Sequence, residues 1–94
     1  MKLIEQELKN LRGENINHGG KDVTLFNVIE TSLLACGNDT TEEEKKSNYK
    51  LVKRFVDTEE ADVEIEDLVI IKKCIGKFML TEVMGACFDI FENK

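Results

Sequence analysis

Four stretches of the chain repeat their apolar residues every three or four positions, the spacing that gathers side chains on one face of an α-helix. They cover residues 24–36, 41–56, 67–79 and 81–92, and the breaks between them are short. No proline interrupts them, because the sequence contains none. Short connections between amphipathic helices favour antiparallel neighbours. The pattern therefore predicts an all-α, mainly helical fold: a small antiparallel array of three or four helices with an irregular or hairpin-like N-terminal segment.

The second of these stretches has the clearest start. Thr40 or Thr41 can act as its N-cap, and Glu43 or Glu44, three residues later, completes a capping box. Acidic residues in a first turn also interact favourably with the helix dipole. We expect the buried stripe of this helix to consist of Tyr49, Val52, Phe55 and Val56.

The other three helices are predicted from caps and apolar faces in the same way. Thr24 is the expected N-cap of the first helix, and Gly37 is the residue expected to end it at Ala35 or Cys36. Thr81 is the expected N-cap of the last helix. The expected buried faces are Leu25, Phe26, Ile29, Leu33 and Cys36 in the first helix, Leu68, Ile71, Cys74, Ile75 and Phe78 in the third, and Val83, Met84, Cys87, Phe88, Ile90 and Phe91 in the last.

Residues 1–23 leave three alternatives open: a helix, a hairpin or a flexible arm. The segment LRGENI, which has a glycine between short apolar pairs, suits the start of a small hairpin. Between Gly13 and Asp22, three glycines and two asparagines predict a loop or turn. A helix over residues 2–11 would instead be supported by the spacing of Leu3, Ile4, Leu8 and Leu11.

The segment 57–67 is strongly acidic. Seven of its eleven residues are Asp or Glu, and Val63 and Ile65 alternate with them. A calcium loop is excluded, because its pattern requires a central glycine and this segment has none. We expect a linker or short extended segment, solvated, that leads into the next helix.

Composition indicates one folded domain over residues 1–94. The chain is 41% hydrophobic and 34% charged, which is typical of a compact protein with a densely charged surface. No window approaches the run of about eighteen apolar residues that a membrane span requires. The opening MKLIEQEL has two glutamates and no uninterrupted apolar core, unlike a secretory signal. We expect a cytoplasmic protein that does not enter membranes.

The sequence shows no motif for a metal, a cofactor or catalysis. Its three cysteines, Cys36, Cys74 and Cys87, are odd in number and widely spaced, which argues against both a disulfide framework and a zinc site. The single histidine, His18, lies beside two glycines and far in sequence from every cysteine. No nucleophile and base signature and no phosphate-binding glycine pattern occurs. We expect no enzyme, no cofactor and no metal site.

The candidate interaction surface is a basic face on the second helix, formed by Lys46, Lys50, Lys53 and Arg54. Cations opposite an apolar stripe ordinarily keep a helix soluble, and solvation is the favoured interpretation. The formal net charge of −6 also disfavours nucleic acid, whose binding depends on clustered Lys and Arg. We expect another protein as partner. Self-association is an alternative, because a core of this size has little stability to spare.

Four segments follow one another along most of the chain: LRGENI, KDVTLFNVIETSLL, EEEKKSNYKLVKRF and VEIEDLVIIKKCIGKFMLTEVMGACFDIFE. In this order they resemble short uncharacterised helical proteins encoded by bacteriophages and prophages. Where such proteins usually place Ser or Thr before the third helix, this chain has Glu66. The resemblance implies a phage origin, the cytoplasm of a bacterial host and a small non-enzymatic role. It transfers no functional residue.

Three functions are compatible with these features. The first is a protein-binding module that acts on a host protein during infection, which a small, charged domain without a catalytic motif suits best. The second is a structural or assembly factor of phage particles, because a self-associating helical domain would serve there too. The third is a nucleic-acid-associated regulator that uses the basic face.

The third function gives the first prediction. We expect no measurable binding to duplex DNA or RNA at physiological ionic strength, because the acidic segment 57–67 follows the basic face directly and carboxylates act over the Debye length of about 8 Å. Changing Lys46, Lys50, Lys53 and Arg54 together to glutamine should have little effect on stability. Fluorescence anisotropy with labelled duplexes checks this, and salt-sensitive binding that the quadruple variant abolishes would contradict it.

Overall fold

The computed structural model describes residues 1–35 and 40–92, and helical residues make up 57% of them. The mainly helical character is thus confirmed. The all-α class is only partly right, because the described residues also form two small antiparallel sheets, β1 with β4 and β2 with β3. In chain order the elements are β1 (Lys2–Ile4), β2 (Asn17–His18), β3 (Lys21–Asp22), α1 (Leu25–Ala35), α2 (Glu42–Val52), a 3₁₀ turn (Lys53–Phe55), β4 (Glu60–Asp62), α3 (Ile65–Phe78) and α4 (Thr81–Phe91).

The N-terminal segment is extended, so the helical alternative for residues 2–11 is wrong. β1 pairs with β4 so that Leu3 lies opposite Ala61, and both of these side chains are buried. Leu8 is buried as well, whereas Leu11 is 98% exposed. The apolar spacing of this segment suits a helix, but backbone pairing with a strand nearly sixty residues away satisfies the same amides. Sequence periodicity carries no information about so distant a partner.

The hairpin-like alternative for this region is confirmed. β2 and β3 are joined by Gly19 and Gly20, whose φ angles of 61° and 83° are those that a type I′ hairpin turn requires at both central positions. Within LRGENI the chain also reverses, and Lys9 and Asn15 form an antiparallel bridge. The stretch predicted as a loop therefore contains two short strands around a glycine turn.

Helix α1 lies at the centre of the molecule, in contact with both α2 and α3, and α4 packs against α3. Thr24 caps α1 as predicted: its hydroxyl oxygen accepts the Asn27 N–H at 3.3 Å. The predicted buried face is confirmed at the four of its positions that are described, and Val28 and Ser32 are buried as well. Cys36 and the expected stop at Gly37 lie outside the described residues.

The backbone N–H groups at the start of α1 donate to residues about twenty positions earlier in the chain. The Leu25 N–H donates to the Gln6 carbonyl oxygen at 2.8 Å, and the Phe26 N–H donates to Glu5 Oε1 at 2.9 Å. The other oxygen of Glu5 accepts the Thr24 hydroxyl at 3.0 Å. Since α1 has no acidic residue in its own first turn, Glu5 supplies the negative charge that the helix dipole favours there.

Helix α2 begins as predicted, because the Thr41 hydroxyl oxygen accepts the Glu44 N–H at 3.1 Å. Its buried face differs from the predicted one. Asn48 and Leu51 are buried together with Val52 and Phe55, whereas Tyr49 and Val56, which the stripe included, are exposed by 57% and 49%. The α-helix ends at Val52 and continues as the 3₁₀ turn, which has fewer residues per turn and so shifts the later side chains around the axis.

The last two helices begin near their predicted starts. α3 starts at Ile65, two residues earlier than expected, and the side chain of Asp67 accepts the Glu64 N–H at 3.0 Å. Thr81 is the first residue of α4 and Leu80 occupies its N-cap position, so the assignment of Thr81 as cap is wrong by one residue. Of the predicted face of α3, Ile71, Cys74 and Ile75 are buried, Leu68 is half-buried and Phe78 is 39% exposed. Of the predicted face of α4, only Cys87 and Phe91 are buried, and the other four residues are half-buried.

The core joins the helices around an aromatic contact. Phe26 of α1 and Phe55 of the 3₁₀ turn, each 1% exposed, meet edge to face with ring centres 5.0 Å apart. Cys74 and Cys87 are buried on the predicted apolar faces of α3 and α4. Burial raises the pKa of the Cys87 thiol to about 12. Such a thiol is protonated at neutral pH and behaves as a small apolar side chain.

Replacing Glu5 tests how much the fold depends on this remote cap. We expect Glu5→Ala to lower the free energy of unfolding by about 1–2 kcal/mol, because it leaves a helix N–H and the Thr24 hydroxyl without their acceptor. The matched control is Glu7→Ala, whose carboxylate contacts the Asn15 amide and Lys9 at the surface, and it should cost less than about 0.5 kcal/mol. Urea unfolding measures both, and equal losses would contradict the proposed role of Glu5.

Candidate functional site

The four basic residues singled out in the sequence are exposed on α2 and the 3₁₀ turn, but three of them already have local contacts. Lys46 Nζ lies 3.5 Å from a Glu42 carboxylate oxygen, and Lys53 Nζ lies 4.8 Å from the centre of the Tyr49 ring. Arg54 Nη1 lies 2.7 Å from Asp67 Oδ2. These contacts reduce the cationic charge that the face offers to a ligand. A binding role for Lys46, Lys50, Lys53 and Arg54 stays a prediction.

A different surface is formed where the chain passes from β4 into α3. A shallow groove of about 900 Å³ lies there, and Arg54 stands at one side of it. Buried Ala61 and Val63 contribute to its lining. Its outer residues are of two kinds, carboxylates and apolar side chains. This surface, the acidic groove, is defined by Met1, Glu60, Asp62, Glu64, Ile65 and Leu68.

The carboxylates of the groove share one side of an extended segment. Ala61 and Val63 point into the core, so the alternating side chains of Glu60, Asp62 and Glu64 face solvent. Neighbouring members of this row are two residues apart, a separation of about 6.5–7 Å along a strand. Lys2 on the paired strand lies 3.3 Å from Glu60. Within residues 1–35 and 40–92, no basic side chain forms an ion pair with Asp62 or Glu64.

Apolar side chains lie directly beside this row. Ile65 is 80% exposed and Met1 is 55% exposed, while Leu68 is half-buried between them and the core. Val69 follows Ile65 by one helical turn, so the two share a face of α3, and Val69 is also exposed. Single exposed apolar residues are ordinary, but several at the edge of one groove are characteristic of binding surfaces.

Backbone pairing fixes the position of the groove. Met1 and Val63 exchange two hydrogen bonds, of 2.9 and 2.8 Å, which hold the first residue against the end of β4. Asp57, with a φ angle of 54°, reverses the chain between the 3₁₀ turn and β4. The groove is therefore built from residues near position 1 and residues near position 65 that only the β1–β4 pairing brings together.

The Arg54–Asp67 pair lies beside the groove, because Arg54 is also one of its lining residues. Asp67 also accepts the Glu64 N–H, and this hydrogen bond lowers the pKa of the Asp67 carboxyl below its ordinary value. The Arg54 guanidinium lowers the pKa further, while partial burial opposes both effects. The pair thus ties the 3₁₀ turn to the first turn of α3, which carries Ile65 and Leu68.

The side chains that line the groove are carboxylates, Arg54 and apolar residues. The described residues include no cluster of His, Cys, Asp and Glu side chains that could hold a metal ion. His18 is exposed in the β2–β3 hairpin, in a part of the chain that does not line the groove. The acidic groove presents a row of carboxylates beside an apolar surface.

The sequence predicted a solvated linker or a short extended segment here, and the extended alternative is confirmed by β4, but the groove was not predicted. The signal for it was present in EADVE, whose strict alternation of acidic and apolar residues is typical of a half-buried strand. The contribution of Met1 had no such signal, because it depends on a pairing between distant parts of the chain.

The Arg54–Asp67 pair gives a prediction with a defined pH dependence. We expect Asp67→Ala to lower the free energy of unfolding by about 1–2 kcal/mol near neutral pH, because it removes a cap as well as an ion pair. Arg54→Gln should cost about 0.5 kcal/mol, as for a partly exposed ion pair. This loss is small, in keeping with the little effect expected of the quadruple glutamine variant, and Arg54 is the member of the basic face that we expect to account for it.

The sign of the pH effect follows from the lowered pKa. A carboxyl that is more acidic in the folded state stabilises it above the unfolded pKa, here 3.8, and loses this contribution as the pH falls through the folded value. Urea unfolding should therefore show a difference between the wild type and Asp67→Ala that shrinks below about pH 4. A difference that stays constant down to about pH 2 would contradict the assignment.

Comparisons with protein-family models, curated proteins and solved structures gave no match. Among the described residues, no helix is long and apolar enough to cross a membrane. A functional assignment for this chain therefore starts from the geometry of the acidic groove.

Proposed function

We propose that this chain is a small non-enzymatic protein-binding module and that the acidic groove is its contact surface. We further propose, from the resemblance to phage-encoded proteins, that it acts on a host protein in the bacterial cytoplasm during infection. The observation that carries the binding role is the exposure of Ile65 and Met1 beside carboxylates that have no basic partner within the described chain.

This composition matches the anatomy of a protein contact. Interfaces combine an apolar centre, which is desolvated on binding, with a polar rim that remains accessible to water. Ile65, Leu68 and Val69 would form the centre, and Asp62 and Glu64 would form part of the rim. Covering a side chain as exposed as Ile65 removes apolar surface from water, which favours association at about 25 cal/mol for each Å².

The two other functions have less support from the structure. An assembly factor of phage particles would use the same exposed residues, but with a second copy or a virion protein as occupant. A nucleic-acid regulator would depend on the basic face, where Lys46 and Arg54 are already paired with carboxylates. The row of carboxylates in the acidic groove would also repel a polyanion.

Affinity capture from a bacterial lysate tests the binding role with two matched variants. Ile65→Ser removes the most exposed apolar residue of the groove, and Leu80→Ser removes an equally exposed one, at 81%, between α3 and α4. We expect the wild type and Leu80→Ser to retain the same stoichiometric partner, identified by mass spectrometry, and Ile65→Ser to lose most of it. Circular dichroism confirms that both variants remain folded.

The alternatives give distinct outcomes in the same experiment. A partner retained equally by all three chains would show that the acidic groove is not the contact surface. Self-association of the wild type in sedimentation velocity, lost in Ile65→Ser, would favour the assembly role and contradict binding of a host protein at this surface.

A further inference from the structure

The spacing of the carboxylates in the acidic groove indicates the shape of what binds there. Glu60, Asp62 and Glu64 lie on alternate positions of an extended segment, so their side chains repeat every 6.5–7 Å or so. A second extended segment has the same two-residue repeat and can match the row side chain by side chain. Basic residues on one face of a helix recur every three or four residues, about 5–6 Å apart. Their spacing therefore differs from that of the carboxylates in the row.

The charge of the groove indicates the sign of the charge that its occupant carries. Lys2 pairs with Glu60, and the Met1 α-ammonium, which donates to the Val63 carbonyl oxygen at 2.9 Å, also lies at the row. Asp62 and Glu64 remain without a basic partner among the described residues, and Glu59 and Glu66 beside them are also exposed. Charges of one sign that are gathered on one surface steer oppositely charged partners towards it.

The apolar side of the groove indicates a second requirement. Met1 and Ile65 expose apolar surface next to the row, and half-buried Leu68 lies between them and the core. Lysine and arginine alone would satisfy the carboxylates but would leave this surface in water. An occupant that also carries apolar side chains covers it, and side chains on the two sides of an extended segment can meet both needs.

From this juxtaposition we infer that the acidic groove binds an extended segment of a partner protein in which Lys or Arg alternates with apolar residues. The inference rests on the proposed binding function and specifies the chemistry of the partner. The bases lie along Asp62 and Glu64, and an apolar side chain of the segment contacts Met1 and Ile65. Arg54, which also lines the groove, stays paired with Asp67.

Binding of two isomeric peptides to the intact chain tests whether the spacing of the lysines must match that of the carboxylates. The first is a fluorescein-labelled heptapeptide in which four lysines alternate with three valines, and the second has the same lysines followed by the same valines. Their charge and composition are identical. In fluorescence anisotropy we expect the alternating peptide to bind at least about fivefold more tightly, and to weaken as salt is raised from about 50 to about 500 mM.

Matched variants test the contribution of the carboxylates. Asp62→Asn combined with Glu64→Gln should weaken the alternating peptide about five- to tenfold, as for the loss of two exposed ion pairs. The control combines Glu43→Gln with Asp89→Asn, which removes the same two charges from exposed positions that do not line the groove, and should change the affinity less than about twofold. Asp62→Asn alone, on β4, should weaken binding about two- to threefold and avoids any effect on the start of α3.

Each contrary result has a defined meaning. Equal affinity for the two isomers, or equal weakening by the groove and control variants, overturns the inference. If the peptides are not distinguished while the lysate partner is still lost in Ile65→Ser, the inference fails and the binding function stands. If the lysate partner also ignores Ile65→Ser, both fail.

Discussion

Helix α1 is buried on most of its surface, so the backbone N–H groups of its first turn need partners inside the fold. The carboxylate of Glu5, the carbonyl oxygen of Gln6 and the hydroxyl of Thr24 provide them. The requirement explains why the N-terminal segment runs extended past α1 instead of forming a helix of its own. It also has a cost: burial raises the pKa of Glu30, and the carboxylates of Glu5 and Asp57 raise it further.

The contact of Glu5 with the start of α1 holds the residue that directly follows β1. β1 lies against β4, and Leu3 and Ala61 fill the space between the sheet and the helices. Pairing with Met1 then extends the sheet to Val63, immediately before α3 begins. The acidic groove is a consequence of this arrangement, because it forms at the point where the sheet ends and the helix starts.

The sheet also determines how the acidic segment presents its charge. In a solvated linker, the side chains of Glu60, Asp62 and Glu64 would point in variable directions, because their like charges repel one another. Pairing with β1 directs all three to one side while Ala61 and Val63 face the core. Arg54 neutralises Asp67 at the end of the row, so the start of α3 is stabilised while the carboxylates further along remain available to a partner. Glu64 also takes part in the capping box of α3, whereas Asp62 forms no ion pair among the described residues.

Local sequence determined the helices, because a cap and an apolar stripe act within a few residues: Thr24 and Thr41 begin α1 and α2, and Ile71, Cys74 and Ile75 face the core. Local sequence did not predict the burial of Val28 and Ser32 on α1. These residues are buried because neighbouring elements cover more than one face of the helix. The β1–β4 pairing, the cap from Glu5 and the place of Met1 beside Ile65 were decided by tertiary structure alone. These contacts join residues about twenty to sixty positions apart. Many of them are formed by backbone groups, which are the same in every residue, so no local sequence pattern could predict them.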